Sequence, residues 1–285
     1  MVPGAFMVQS RVHLSSDSRV GPETASSQAL PWQRAETRPM LLDSLPPPDK
    51  RLRLTDTFTF SCHKGLACFG TCCRNRDLSL TPYDILRLKN TLSLHSDDFL
   101  TRHTLYRLDP ASGFPVISLR MGQDPERQCP FVTHEGCRVY NDRPTACRLF
   151  PLARASGTGR GSAGHDEFFF LLDTPGCLGA KEEKIQTLEE WLAGQGLGPY
   201  RTANDRMLGL LFHPARERGR PLGESQLQRI IVACYNVDVF REFVFKTRFL
   251  ESYHIDEKTR SRIEKDDAEL LILGFAYLRT NLFPP

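Results

Sequence analysis

The chain of 285 residues has no apolar run long enough to cross a bilayer, and its mean hydropathy is -0.36. A spanning helix needs about 20 consecutive apolar residues, so no membrane partner is expected. Charge of one sign is also scarce. Lys and Arg number 37 against 34 Asp and Glu, a surplus of +3. That is too slight to argue for a nucleic-acid surface. Met1 to Ser10 hold no charged stretch followed by an apolar one, and Asp17, Glu23 and Glu36 lie downstream. Neither an export signal nor an organellar transit peptide is visible, which points to a cytoplasmic, reducing location. HExxH and Gly-x-Ser-x-Gly motifs are missing, as are internal repeats.

What the chain does have is nine cysteines, eight of them between residues 62 and 177. In a reducing compartment, clustered thiols are more often metal ligands or redox groups than disulfides.

Composition divides the chain in three. Residues 1–50 are rich in Ser, Pro and Gln, end near Pro46-Pro47-Pro48, and read as a disordered leader. Residues 51–186 read as a cysteine-cluster domain of short strands and helices. Thr57-Phe58-Thr59-Phe60 alternates as a strand does. Thr81-Pro82-Tyr83-Asp84 has the form of a capping box with proline in the first turn, and Ile85, Leu86 and Leu88 follow it. Ser96 with Asp97 and Asp98 starts a second helix, and Val116–Leu119 and Phe168–Leu172 read as strands. Residues 187–285 read as a helical extension. Thr187 and Glu190 form another capping box. Ile230, Cys234 and Val237 share one helical face, and Leu271, Phe275, Leu278 and Leu282 form an apolar stripe. The expected fold class is α+β, with a possible protein partner for the C-terminal helices and Phe240, Phe243 and Phe249 in their core.

The first thiol group is Cys62, Cys68, Cys72 and Cys73, spaced C-x5-C-x3-C-C, with Gly65 and Gly70 supplying permissive backbone. Neighbouring side chains diverge in any regular backbone, so Cys72 and Cys73 are expected to face different partners. The second group is Cys129, Cys137 and Cys147, and Cys177 follows Pro175-Gly176. Pro144 suits the first residue of a helical turn, which would set Cys147 among free amides that favour its thiolate. Arg74, Arg143 and Arg148, beside or between cysteines, are candidates to offset thiolate charge. Four thiolates suit either zinc or an iron–sulfur cluster, and the paired C-x2-C hooks usual for zinc are absent. His63 and His134 read as solvated bystanders, and Cys234 as an inert core thiol.

These residues resemble the YkgJ-like cysteine-cluster family, described as zinc- or iron-chelating. The likeness rests on Phe60, Cys62, Cys68, Cys72 and Cys73. It continues through Leu80–Asp84, Cys129-Pro130-Phe131, Cys137, Tyr140, Arg143-Pro144, Cys147-Arg148, Pro151 and Cys177-Leu178-Gly179. The commoner first cluster of the family is C-x2-C-x2-C-C, so this chain departs in its longer gaps. The resemblance implies a metal centre, an iron–sulfur cluster first and a zinc or iron ion second, on the eight clustered cysteines. Because the family includes flagellin lysine methylases, it also implies protein-lysine N-methylation by analogy. A structural zinc module for protein interaction is the further alternative. Whether the chain is an enzyme is left open by the residues themselves. Gly159, Gly161 and Gly164 match G-x-G-x-x-G, but precede a strand rather than open a helix, and so read as a hairpin loop. The acidic pairs Asp97-Asp98 and Asp266-Asp267, and Arg216-Glu217-Arg218, read as solvated faces.

Overall fold

A computed structural model describes residues 47–110, 112–158, 165–213 and 222–282. The expected leader, the G-x-G-x-x-G segment and Arg216-Glu217-Arg218 lie outside the described residues, apart from the end of the leader at 47–50. The fold is α+β. In chain order the first half runs β1 (Thr57–Thr59), β2 (Ser79–Leu80), α1 (Pro82–Thr91), α2 (Ser96–His103), β3 (Thr104–Leu108) and β4 (Pro115–Leu119). Then come β5 (Val132–Thr133), β6 (Gly136–Cys137), α3 (Thr145–Leu149), β7 (Leu152–Thr158), β8 (His165–Leu171) and β9 (Ile185–Thr187). Helices follow: α4 (Leu188–Gly194), α5 (Gly198–Leu211), α6 (Glu224–Ile230), a π-helical turn Ile231–Tyr235, and α7 (Val237–Lys246). The last are α8 (Phe249–Ser252), α9 (Glu257–Lys265) and α10 (Asp267–Leu282). The strands form small antiparallel sheets: β2-β4-β3, β1-β9, β5-β6 and β7-β8.

Apolar side chains gather in two cores. The larger joins Leu80, Ile85, Leu88, Phe99 and Ile117 to Phe240, Leu270 and Leu278. It therefore packs α1, α2 and the three-stranded sheet against the C-terminal helices. The smaller holds Phe58, Phe60, Leu149, Leu152, Phe169, Leu188 and Leu197. Its aromatics meet edge to face: Phe60 lies 5.8 Å from Phe150 and 5.5 Å from Trp191. The Trp191 indole donates to the Leu149 carbonyl at 3.1 Å, tying α4 to the end of α3.

Local sequence signals explain several elements directly. Thr81 Oγ1 accepts from the Asp84 amide at 3.3 Å, and the Asp84 carboxylate accepts from the Thr81 amide at 2.9 Å. The capping box at Thr187 and Glu190 is likewise formed. Leu271, Phe275, Leu278 and Leu282 are all buried along α10. Phe240 and Phe249 are buried, and their rings pack with Phe243, Tyr253 and Tyr277. Cys234 is also buried, and burial pushes its thiol well above the ordinary range.

The acidic pairs are not simply solvated. Asp267 accepts from Lys89 at 2.9 Å and from Arg241 at 2.7 Å. Lys89, almost fully buried, also reaches Asp238 at 3.0 Å. Asp97 accepts from Asn236 at 3.2 Å. Ser96 is the first helical residue, and His95 caps it. The Ser96 hydroxyl donates to Asn236 at 2.6 Å and accepts from the Asp238 amide at 3.0 Å, while Asp238 accepts from the Ser96 amide at 2.7 Å. The starts of α2 and α7 thus cap each other, and their orphan amides find partners on the opposite helix.

Gly274 lets α10 lie on the π-helical turn. A Cβ there would stand 2.3 Å from the Ala233 carbonyl oxygen. Gly274→Ala should therefore cost about 2 kcal/mol through overpacking, read from urea unfolding midpoints. Lys89→Met should cost about 3 kcal/mol, because it leaves two carboxylates short of their buried cation. Adding Asp238→Asn to Lys89→Met should recover part of that loss in the same measurement.

Candidate metal centre

The thiol loops lie on the smaller core. Phe60, buried at 2% exposure, donates its amide to the Lys184 carbonyl at 3.1 Å and accepts from the Gln186 side chain at 2.8 Å. The next amide, Ser61, donates to the Gly179 carbonyl at 3.0 Å. A Cβ on Gly179 would stand 2.7 Å from the Ser61 oxygen, so the close approach requires glycine. Cys62 is thereby set against the Cys177-Leu178-Gly179 turn. The Leu178 amide donates to Cys68 Sγ at 3.2 Å, which brings Cys68 to the same turn.

Gly70, with φ of 80°, reverses the chain into a 3-10 turn at Thr71–Cys73. Beyond it, the Cys129 amide donates to the Cys73 carbonyl at 2.8 Å, and the Asn75 amide to the Arg127 carbonyl at 3.0 Å. Three residues after Cys129, Val132 pairs with Cys137 across the β5-β6 hairpin. The amides of Phe131 and Val132 point at the Cys129 sulfur, and that of Val139 at the Cys137 sulfur. Amide donors favour thiolate, the ligand form, over thiol.

Cys147 belongs to the short helix α3, which Asp84 holds. One Asp84 oxygen accepts from the Thr145 amide at 2.8 Å and its hydroxyl at 2.7 Å. Asp84 is fully buried and its partners are neutral donors. Burial raises its carboxyl above the usual range despite them.

All nine cysteines are free thiols. Burial raises the thiol of Cys62, and the thiolates of Cys72, Cys68 and Cys177 raise it further. Burial also raises Cys129 and Cys137. For Cys137 the Val139 amide and the charge of Arg143 oppose the rise. Cys147 keeps solvent access, yet its surroundings push its thiol up to about 12, with Cys129, Asp84 and Cys137 adding to the effect of desolvation. The expectation that a helix start would favour the Cys147 thiolate fails for a physical reason. The first α3 amide is already spent on Asp84, whose charge also repels sulfur. Pro144 lies just before the helix rather than in its first position.

Cys72 and Cys73, expected from their adjacency to face different partners, instead face each other and act as a pair. The Cys73 thiol donates to Cys72, which lowers Cys72 to about 6, and the Arg76 guanidinium adds to that pull. Cys73 moves upward in return, held to its proton by the same bond. Arg76 is the cation that sequence reasoning missed; its Nε donates to the Cys72 carbonyl at 3.3 Å. Its spacing of four from Cys72 is the only local signal for it.

The three arginines singled out from sequence have different surroundings. Arg74 pairs with Glu126 at 2.7 Å. Arg143 stacks over Tyr140 at 3.9 Å, donates to the Tyr140 carbonyl and to Gln195, and bears electrostatically on Cys137 and Cys147. Arg148 is buried, stacks over Tyr200 at 4.5 Å and ties the carbonyls of Arg143, Asn141 and Gln195 together. His63 is occupied by Glu182 at 3.3 Å and by the Gly65 amide, and His134 stands in solvent.

The donor chemistry fits a thiophilic metal. Cys68, Cys129 and Cys137 have amides aimed at their sulfurs, and Arg76 and Arg143 set positive charge beside Cys72, Cys137 and Cys147. The side chains are not pre-assembled: among the described residues, no group of three or more His, Cys, Asp or Glu is already arranged to hold a metal ion. Ligation therefore requires thiol side chains to turn inward on loops whose backbones are fixed as described.

Comparison with known families agrees with the donor chemistry. Residues 61–178 match the CxxCxxCC family model, described as "Putative zinc- or iron-chelating domain". The matched stretch holds all eight clustered cysteines and excludes Cys234. It supports metal binding. No curated protein and no solved structure gives a significant match to the chain.

The titration of Cys72 has a direct readout. In chelator-treated, reduced protein, iodoacetamide should label Cys72 first at pH 7, with a rate that climbs through about pH 6 as its thiolate forms. Arg76→Ala should move that rise to higher pH. Peptide mapping of the alkylated sites checks both.

Proposed function

We propose that the thiol loops bind iron as an iron–sulfur centre, as members of the YkgJ-like branch of cysteine-cluster proteins. The observation that carries the reading is the gathering of eight reduced thiols in these loops, with backbone amides aimed at the sulfurs of Cys68, Cys129 and Cys137. Most of these thiols are held to their protons on their own, and giving those protons up becomes favourable around a cation. The resemblance to the YkgJ-like proteins, rather than the spacing, puts iron–sulfur ahead of zinc, since C-x2-C hooks serve both.

When bound, such a centre supplies one-electron transfer. The chain's own residues have definite parts in this reading. The eight cysteines are the ligand set. The amides of Phe131, Val132, Val139 and Leu178 orient sulfurs and soften their charge. Arg143 and Arg76 offset negative charge at Cys137, Cys147 and Cys72. Arg148 and Asp84 fix the backbone that carries Cys147. A structural zinc module is the second reading. The close seat of the Cys62 and Cys177 loops on Phe60 and Gly179 favours it, because a metal there would lock the smaller core.

Protein purified without oxygen should be brown, absorb in the blue, and contain iron with acid-labile sulfide in comparable amounts. Removal of the metal should lower the thermal midpoint, since ligation energy is folding energy in such sites. Colourless protein holding stoichiometric zinc overturns the iron–sulfur reading and leaves the zinc module.

A further inference from the structure

We infer that Gln195 positions Cys147 for metal binding, so that the turn between α4 and α5 belongs to the frame of the metal centre although it lies beyond the matched residues 61–178. This inference rests on the reading that the loops bind metal, and adds to it a positioning residue from the helical part of the chain.

The segment that carries Cys147 is gripped from α4 and α5. Arg143 donates to the Gln195 side-chain oxygen. Arg148 donates to the Gln195 carbonyl at 2.6 Å and stacks over the Tyr200 ring at 4.5 Å. The Trp191 indole reaches the Leu149 carbonyl at 3.1 Å, and the Asn204 side-chain amide donates to the Thr145 hydroxyl at 3.4 Å. These contacts fall on both sides of Cys147 in the chain, and Gln195 makes one on each side. The other thiol loops are held differently, by bonds among themselves: Ser61 to Gly179, Leu178 to Cys68, and Cys129 to Cys73.

Gln195 thus ties down both ends of the short helix that presents Cys147. Arg143 is buried, and it also donates to the Tyr140 carbonyl at 2.6 Å. Without the Gln195 oxygen, a buried N–H of its guanidinium loses its acceptor, and the side chain must move. Pro144 and α3 follow Arg143 directly in the chain and shift with it. The Cys147 thiol has still to turn inward to share a metal, and a small displacement of its helix misdirects that turn. Coupling of this kind is reciprocal. A metal held through Cys147 steadies the α4–α5 turn in return.

Iodoacetamide footprinting with peptide mapping, on the reduced full-length chain loaded anaerobically with cobalt(II), tests the assignment. In the wild type the metal should protect Cys147 together with the other clustered cysteines. In Gln195→Ala the Cys147 rate should rise about tenfold, the lower end of what loss of an outer partner costs a metal site, while Cys62 and Cys177 stay protected. An unchanged Cys147 rate overturns the proposal. So does an equal rise at all the clustered cysteines, which is general loosening. Wild-type protection of the other cysteines but not of Cys147 overturns it while sparing the metal reading. Cobalt that protects no cysteine overturns both. Hydrogen exchange of the wild type decides the matter if the variant fails to fold. Cobalt should slow the amides of Gln195 and Gly196, which close the turn onto Trp191 and Ala193, and leave α9 unaffected. Protected thiol loops beside an unaltered turn overturn the proposal.

Discussion

Asp84 begins the first helix with no access to solvent, and its two oxygens serve three donors: the Thr81 amide, the Thr145 amide and the Thr145 hydroxyl. A carboxylate taken out of water is costly unless every lone pair is engaged. Here the donors come from two parts of the chain, which Arg87 and Thr91 of α1 also join through Asp142. One is the start of α1, whose apolar face lies in the larger core. The other is the start of α3, which leads from the thiol loops into the smaller core. Loss of either partner strands a buried group, so Asp84, with Tyr83 packed against both cores beside it, sets the register between them. The position of Cys147 follows from that register.

The thiol loops have little regular structure, yet their paths are determined. Gly179 admits the Ser61 carbonyl, Gly70 turns the chain by a positive φ, and backbone bonds from Cys129 and Leu178 close the loops. These bonds set the backbone of the loops, while the thiol side chains have still to turn inward to share a metal. Arginine supplies the remaining control. Arg148 knits three carbonyls and stacks on Tyr200, whereas Arg76 and Arg143 act on sulfur through charge. Three neighbouring arginines thus do different work, and their closeness to cysteine in sequence does not distinguish them.

Features that depend on neighbours in the chain were legible. The capping boxes at Thr81 and Thr187 involve residues three apart, and the α10 stripe repeats every turn. The short strand ahead of Cys62 and the Phe168 strand also follow from local pattern. What was not legible depends on remote partners. Asp267 reads as a surface acid until Lys89 and Arg241 are brought to it. Ser96 reads as a cap, yet its hydroxyl is claimed by α7, and His95 takes the capping role. The amide that meets Cys68 comes from 110 residues away. The eight clustered cysteines were visible as a set. Their neighbourhoods depend on backbone bonds between loops that only the folded chain brings together.

The mutual capping of α2 and α7 has a consequence for how the molecule assembles. Ser96 and Asp238 are 142 positions apart, yet each completes the first turn of the other's helix. Neither helix start is fully satisfied until most of the chain has been synthesised and has closed a very long loop. Emergence from the ribosome therefore leaves the Ser96 amide of α2 in water until α7 arrives. Such dependence makes folding a late, collective event, and ties the order of the N-terminal elements to a segment made near the end.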